Sequence, residues 1–484
     1  MRIGQKSFVV FVSKFLGSAL GFVATIYFAN VLGSEVLGYY AAVLALVAWL
    51  RLAGDFGVGS AMRKRISEGD EPAAYLVAGF ALVGALATAI AAAVLLAGGL
   101  VDDYVGRPVA AFVALLVLTE LFRLSTIAAL EGERLVHVAG LLSPLKIGVR
   151  SLVQIGLVVA GLGLTGMLVG YAVGGVLVGV AGLTVVSVGI ARPERRHVES
   201  LVDFAKFSWL GKLQARSFND VDVLVLTALV PSGLVGVYYV AWRVTKFLTL
   251  FGSAISSTMF PELSRADAEG SEETVSTLVT DALTYNGLLI IPGLVGSALI
   301  GRGLLRIYGP EFVQGATVLW VLVLAALVYG YQEQLMYALN ALDRPDIAFR
   351  VNLVFIVSNV LLNVVLVVAI GFLGAAIATA ISATLGLTLS YLALRSLASF
   401  RVPVGEIGRQ VAAAAAMGVV VALGRRVAAA LDPSVEFLPV VTANAVTVGA
   451  LVVLGAAAYF LSLLGLSAQF RATVLSNLPA SVRP

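Results

Sequence analysis

Ten basic side chains lie within stretches that otherwise read as transmembrane helices: Lys14, Arg51, Arg123, Lys146, Arg150, Lys212, Arg216, Arg243, Lys246 and Arg350. Only five acids share that depth, Asp55, Glu120, Asp220, Asp222 and Glu333. A basic residue at the centre of a bilayer costs roughly 2.5–3.5 kcal/mol on insertion scales, so such residues face a bundle interior or a water-filled cavity. The excess of cations points to a cavity that receives an anion. Structural ion pairing, with snorkelling of the long stems to the interface, is the competing account of part of the set.

Spacing sorts these residues. Arg51 and Asp55 stand at i,i+4 on one helix face, the spacing of a neutralised ion pair that pins a neighbouring helix. Gly54, Gly57 and Gly59 thin the same helix. Lys212, Arg216 and Asp220 form a stripe, with Asp222 close by, on a segment too polar for lipid to surround. Arg243 with Lys246, and Lys146 with Arg150, have no acid on their own helix. Such pairs suit an anion, because arginine grips phosphate with two parallel hydrogen bonds and lysine acts as a compact charge. The candidate anion ligands are therefore Arg51, Lys146, Arg150, Lys212, Arg216, Arg243 and Lys246. A second set could couple movement to a cation: Asp55 and Asp222 as carboxylates, with Asn359, Asn363 and Thr379 as hard oxygen donors. Hydrogen-bonded glue between helices is the plainer role for the two asparagines. Glu333, among Tyr329, Tyr331, Gln332 and Gln334, would bind hydroxyl groups or close its helix against a neighbour.

The elements that must position these residues follow from composition. The chain of 484 residues is 60% hydrophobic and 12% charged, about half the charge of an ordinary soluble domain. That makes it an all-α polytopic membrane protein. Apolar runs of about 20 residues predict about 14 transmembrane helices, at 8–32, 39–61, 75–100, 109–130, 141–163, 167–191, 207–230, 236–260, 278–300, 315–340, 347–370, 373–397, 411–431 and 437–464. The net charge of +4 is modest and does not suggest nucleic acid as a partner. With no cysteine, disulfides and thiolate chemistry are excluded. The first span is too long for a signal-peptide core, so it is expected to stay uncleaved. Arg63, Lys64, Arg65, Arg134, Arg192, Arg195, Arg196, Lys206, Arg265, Arg344, Arg401, Arg409 and the basic residues of both termini fall on one side. Only Arg107, Arg302, Arg306, Arg425 and Arg426 fall on the other. The positive-inside rule then places both termini in the cytoplasm.

Several motif-like signals carry nothing. Gly161, Gly163 and Gly166 spell a dinucleotide-type fingerprint, but in a turn between spans with no acidic partner downstream. His137 and His197 lack ligand spacing and read as solvated loop residues. No P-loop, catalytic triad or metal cluster is evident, so the chain reads as a non-enzyme without a cofactor.

The chain also repeats itself. Ser34 and Gly38-Tyr39-Tyr40 recur as Ser232 and Gly236-Val237-Tyr238 at turns between spans. Ala129-Leu130-Glu131-Gly132 matches Ala338-Leu339-Asn340-Ala341, Gln154 matches Asn363, and Gly163-Leu164-Thr165-Gly166 matches Gly371-Phe372-Leu373-Gly374. Six spans per repeat return the chain to its starting side, giving parallel repeats with a site between them. The expected divisions are a lobe at 1–198, a second six-helix lobe at 199–400, and two further helices with a tail at 401–484.

The segment Ala29 to Tyr40, followed by Gly54-Asp55-Phe56-Gly57-Val58-Gly59, resembles the opening helices of oligosaccharide and polysaccharide flippases. So do Asp222 ahead of Gly236, and Asn363 ahead of Gly371 to Ala376. These proteins belong to the multidrug/oligosaccharidyl-lipid/polysaccharide superfamily. The resemblance implies two lobes that open alternately to each side of the cell membrane. It also implies a lipid-linked oligosaccharide, on a polyprenyl or dolichyl phosphate or pyrophosphate, moved from the cytoplasmic to the outer leaflet. It places Arg51 beside the central cavity as a candidate phosphate contact, and cation sites in the second lobe, with Na⁺ or H⁺ as coupling ions. Glycosyltransferases are the implied working partners, and a monomer the expected state. A cation-coupled multidrug exporter is the nearest alternative, although its commonly cationic substrates fit a basic cavity badly. A membrane-embedded glycan polymerase or ligase is the alternative of another class, and the short external loops argue against it.

Overall fold

The structure is a computed structural model that describes residues 3–208, 210–431 and 443–477, with the side chains of 3–16, 18, 143, 207–208, 210–216, 251, 253–254, 256–258, 431 and 476–477 outside the described set. Among the described residues the regular structure is helical throughout. In chain order the helices are α1 (Ile3–Asp55), α2 (Val58–Glu68), α3 (Pro72–Leu96), α4 (Gly98–Val105), α5 (Ala110–Gly132), α6 (Val136–Val159), α7 (Gly163–Leu183), α8 (Arg195–Ser208) and α9 (Leu210–Leu229). Then come α10 (Ser232–Ala268), α11 (Glu272–Arg306), α12 (Ala316–Ala341), α13 (Pro345–Ile370), α14 (Phe372–Arg395), α15 (Val404–Leu431), α16 (Ala443–Leu466) and α17 (Ala468–Asn477), with a 3-10 turn at Pro310–Gly315.

Eleven helical stretches among the described residues are long and apolar enough to cross a membrane. α1 carries the first two expected spans, which meet at the non-helical Gly33. The expected turn there is therefore one residue wide, and Ser34 to Tyr40 are already helical. α9 and α10 cover the expected seventh and eighth spans. The second span also ends earlier than its apolar run. Phe56 and Gly57 both have positive φ, which breaks the helix after Asp55, and α2 starts afresh at Val58. α10 has 37 residues, about 55 Å of helix, and so outruns a hydrocarbon core of about 30 Å. Exposed Leu353, Leu361, Val365 and Val368 on α13 suit contact with lipid chains rather than water.

The chain forms two compact units, Met1–Tyr239 and Val240–Pro484. In the first, α1 packs against α5, α6, α7 and α9, while α5 also packs on α3 and α7. Leu37, Val43, Val113, Leu116, Val117 and Leu121 are fully buried there. In the second, α12 packs on α11 and α14, and α13 packs on α14. The pair α15 and α16 leans on α11 through Leu288, Ile291, Ala413, Met417, Tyr459 and Leu463.

The amphipathic α8 lies on α2 and α3, and His197 explains how. Contrary to the loop expectation, His197 is only 2% exposed. Its Nδ1 accepts the Glu194 backbone N–H at 2.9 Å, which leaves Nε2 as the donor to Glu71 at 2.7 Å. The ring meets Tyr75 edge-on at 4.8 Å. The His197 hydrogen bond, ahead of that from Arg196, holds the Glu71 carboxyl below its ordinary range.

Candidate anion-binding site

A basic cluster lies inside the first unit around a single carboxylate. Glu120 on α5 has no exposed surface. Its Oε2 accepts from Arg51 Nη1 of α1 at 3.1 Å and from Arg123 Nη2 of its own helix at 3.0 Å. Its Oε1 accepts from Lys146 Nζ of α6 at 2.5 Å. Lys146 also stands over the Tyr171 ring at 4.6 Å, and the Arg150 guanidinium over the same ring at 5.2 Å. Three cations therefore hold one anion, Arg150 shares the Tyr171 ring with Lys146, and its Nε is buried without a hydrogen-bond partner among the described residues. Removing one partner of a buried pair is strongly destabilising, so Glu120 accounts for how the bundle tolerates three of these cations. It does not neutralise the set.

The helices reach this arrangement because α7 is thinned where it passes. A Cβ on Gly174 would press on the stem of Arg150, and one on Gly175 would lie 3.3 Å from Glu120 Oε1. Gln154, one turn beyond Arg150, donates to the Met167 carbonyl of α7 at 2.6 Å and to the Tyr40 hydroxyl at 3.0 Å. That amide pins α6, α7 and α1 together.

Three sequence expectations change. Arg51 pairs with Glu120 rather than with Asp55. Asp55 accepts from the Gly59 backbone N–H at 3.1 Å and so serves the start of α2. Lys146, with no acid on its own helix, is paired across the bundle. Among the described residues Arg150 forms no ion pair with a carboxylate.

The polysaccharide biosynthesis protein family matches residues 3–267. The probable flippase AglR of Haloferax volcanii is 32% identical over 487 residues, covering 99% of each chain. The chain belongs to the oligosaccharide/polysaccharide flippase family. The probable low-salt glycan biosynthesis flippase Agl15 of the same organism is 27% identical, over 84% of this chain and 87% of its own. The lipid II flippase MurJ family matches residues 137–442. The MurJ structure in an inward closed conformation has a TM-score of 0.79 at 15% identity, covering 96% of this chain and all of that one. At that identity the likeness concerns the fold, an all-α membrane bundle.

Within this flippase the remaining expected residues lie on other helices. Lys212 and Arg216 fall on α9, and their side chains, like that of Lys14, lie outside the described residues. Arg243 and Lys246 are half-buried on α10, with Lys246 over the Trp242 ring at 5.4 Å. Arg350 is exposed on α13. Asp222, buried on α9, accepts a short hydrogen bond from the Tyr238 hydroxyl. Asn359 donates to Thr379 at 3.2 Å, tying α13 to α14 in the second unit, and Asn363 donates to the Asn359 carbonyl of its own helix at 2.9 Å. On α12, Gln334 donates to the Gly252 carbonyl at 3.3 Å and Gln332 is fully buried. The face beside Glu333 thus packs against neighbours.

The repeat meets itself in the first unit. A Cβ added at Gly38 would overlap the Ser232 carbonyl, and one at Gly236 would overlap the Ser34 carbonyl. The start of α10 and the part of α1 beyond Gly33 thus touch backbone to backbone through equivalent residues, with Tyr40 and Tyr239 edge-on at 6.3 Å beside them.

Proposed function

We propose that this flippase carries an isoprenoid-linked oligosaccharide from the cytoplasmic to the outer leaflet of the cell membrane, its phosphate or pyrophosphate meeting the cations around Glu120. The observation that carries the reading is Arg150, a half-buried arginine whose Nε is buried without a hydrogen-bond partner, next to a cluster of three further cations that holds one carboxylate. Arginine presents a planar fork that fits phosphate oxygens. The named relatives, probable flippases and one of them a glycan biosynthesis flippase, support a glycan cargo. The lobes at 1–198 and 199–400 open alternately, 401–484 adds two helices and a tail, and both termini face the cytoplasm. A glycosyltransferase builds the cargo on the inner face and a transferase consumes it outside. The test is Arg150→Ala in a cell lacking the wild-type protein. Glycan export is expected to fall at least tenfold with the variant still in the membrane, while Arg350→Ala leaves export unchanged. Normal export by Arg150→Ala would remove the site.

Coupling to Na⁺ or H⁺ through Asp222, with Asn359, Asn363 and Thr379, is the finer part of the proposal. A ligand that binds one state better shifts the equilibrium toward it. Asp222→Asn is therefore expected to abolish ion dependence in reconstituted vesicles while slow transport persists, and an unchanged ion response would leave Asp222 as a partner for Tyr238.

A further inference from the structure

Glu120 is the member of the cluster that an anionic cargo reaches last. Its side chain has no exposed surface, whereas those of Arg123, Lys146 and Arg51 are 10%, 11% and 17% exposed. The open side of the cluster is therefore its cationic side, with the carboxylate behind. Arg51, Arg123 and Lys146 come from three different helices, and like charges would drive them apart if they were gathered without a counter-ion. Arg51 donates to one oxygen of Glu120, Lys146 donates to the other, and Arg123 donates to both. Arg51 spends one nitrogen on this bond, and Lys146 keeps hydrogens beyond it, so donors remain for a second anion. α7 passes so close that a Cβ at Gly175 would crowd the carboxylate, which leaves Glu120 little room to swing aside.

We infer that Glu120 is a positioning residue: a fixed internal counter-ion that gathers Arg51, Arg123 and Lys146 into one cradle for a phosphoryl group and stays in place when that group binds. The inference rests on the phosphate reading above. It makes the cradle selective for an anion with several acceptor oxygens, because three convergent donors from fixed stems match a phosphoryl group better than a lone carboxylate. The opposite arrangement, with Glu120 as a placeholder expelled by the cargo, predicts the reverse response to its neutralisation.

The experiment compares binding of farnesyl pyrophosphate, farnesyl phosphate and farnesol to the purified full chain in lipid nanodiscs. Wild type is expected to bind both phosphorylated probes at least tenfold tighter than farnesol. Glu120→Gln is expected to lose that preference, weakening farnesyl pyrophosphate at least tenfold without changing farnesol. Glu120→Asp, which keeps the charge, should restore the preference to within about threefold of wild type, the expectation for a charge-assisted anchor. Unchanged or tighter binding of farnesyl pyrophosphate by Glu120→Gln would overturn the inference. Equal binding of all three probes by wild type would instead overturn the phosphate reading beneath it. Because neutralising a buried carboxylate can prevent folding, a second measurement uses wild type alone, a cryo-electron microscopy map with farnesyl pyrophosphate bound. Glu120 is expected still to bridge Arg51, Arg123 and Lys146, and a carboxylate turned away from them overturns the inference.

Discussion

Oxidising the double variant Ser34→Cys, Gly233→Cys is expected to stop glycan export almost completely, and reduction is expected to restore it. The wild-type chain has no cysteine, so a bridge would form on a clean background. A Cβ on Gly233 would lie 3.4 Å from the Ser34 Oγ, so the two side chains would meet at close range. The bridge would lock α1 and α10 where Gly38 and Gly236 already bring their backbones into contact. In the proposed division into lobes at 1–198 and 199–400, Ser34 and Gly233 belong to different lobes, so alternate opening is expected to part them in every cycle. Each single cysteine variant should export normally under oxidant. Full export by protein shown to be completely bridged would mean that this contact never opens, and the proposed cycle would have to hinge elsewhere.

The complementary change forces the same contact apart. Gly38→Ala and Gly236→Ala each place a methyl group on a backbone carbonyl that has no rotamer to escape through. Overpacking of this kind typically costs about 1–3 kcal/mol, which is roughly a 5- to 150-fold shift between two states. Export is expected to fall by at least tenfold, and the yield of the 34–233 bridge should fall with it. Gly84→Ala and Gly99→Ala face open space and should do neither. Undiminished bridging in Gly38→Ala would show that the close approach does not hold the two helices together.

Much of the helical architecture was legible because membrane spans announce themselves by length and apolarity, a signal that needs no tertiary contact. The basic excess was legible for the same reason. The pairing was not. Spacing rules see only neighbours on one helix, so they offered Asp55 to Arg51 and nothing to Lys146. The structure supplies Glu120 to both from another helix, 69 and 26 residues away. A hint was present in Glu120 and Arg123, an acid and a base at i,i+3 deep in an apolar run, but nothing local says that two further cations converge there. His197 escaped in the same way, since its partner Glu71 lies 126 residues away. The glycine repeat was readable as a pattern. Its physical cause was not, because two glycines touching across helices leave no trace in either segment alone.

The surplus of positive charge around Glu120 has an electrical consequence. A charge crossing the membrane potential gains or loses about 2.3 kcal/mol per 100 mV. An anionic head group leaving a cell whose interior is negative moves downhill in that field. In the proposed cycle a bound head group would offset the cations around Glu120, so the loaded site would cross nearly neutral and feel little of the voltage. The empty site, turning back toward the cytoplasm with its cations uncovered, would be drawn inward by the same field. In the proposed cycle, resting voltage therefore acts mainly on resetting the carrier, and depolarisation would slow its return more than its delivery.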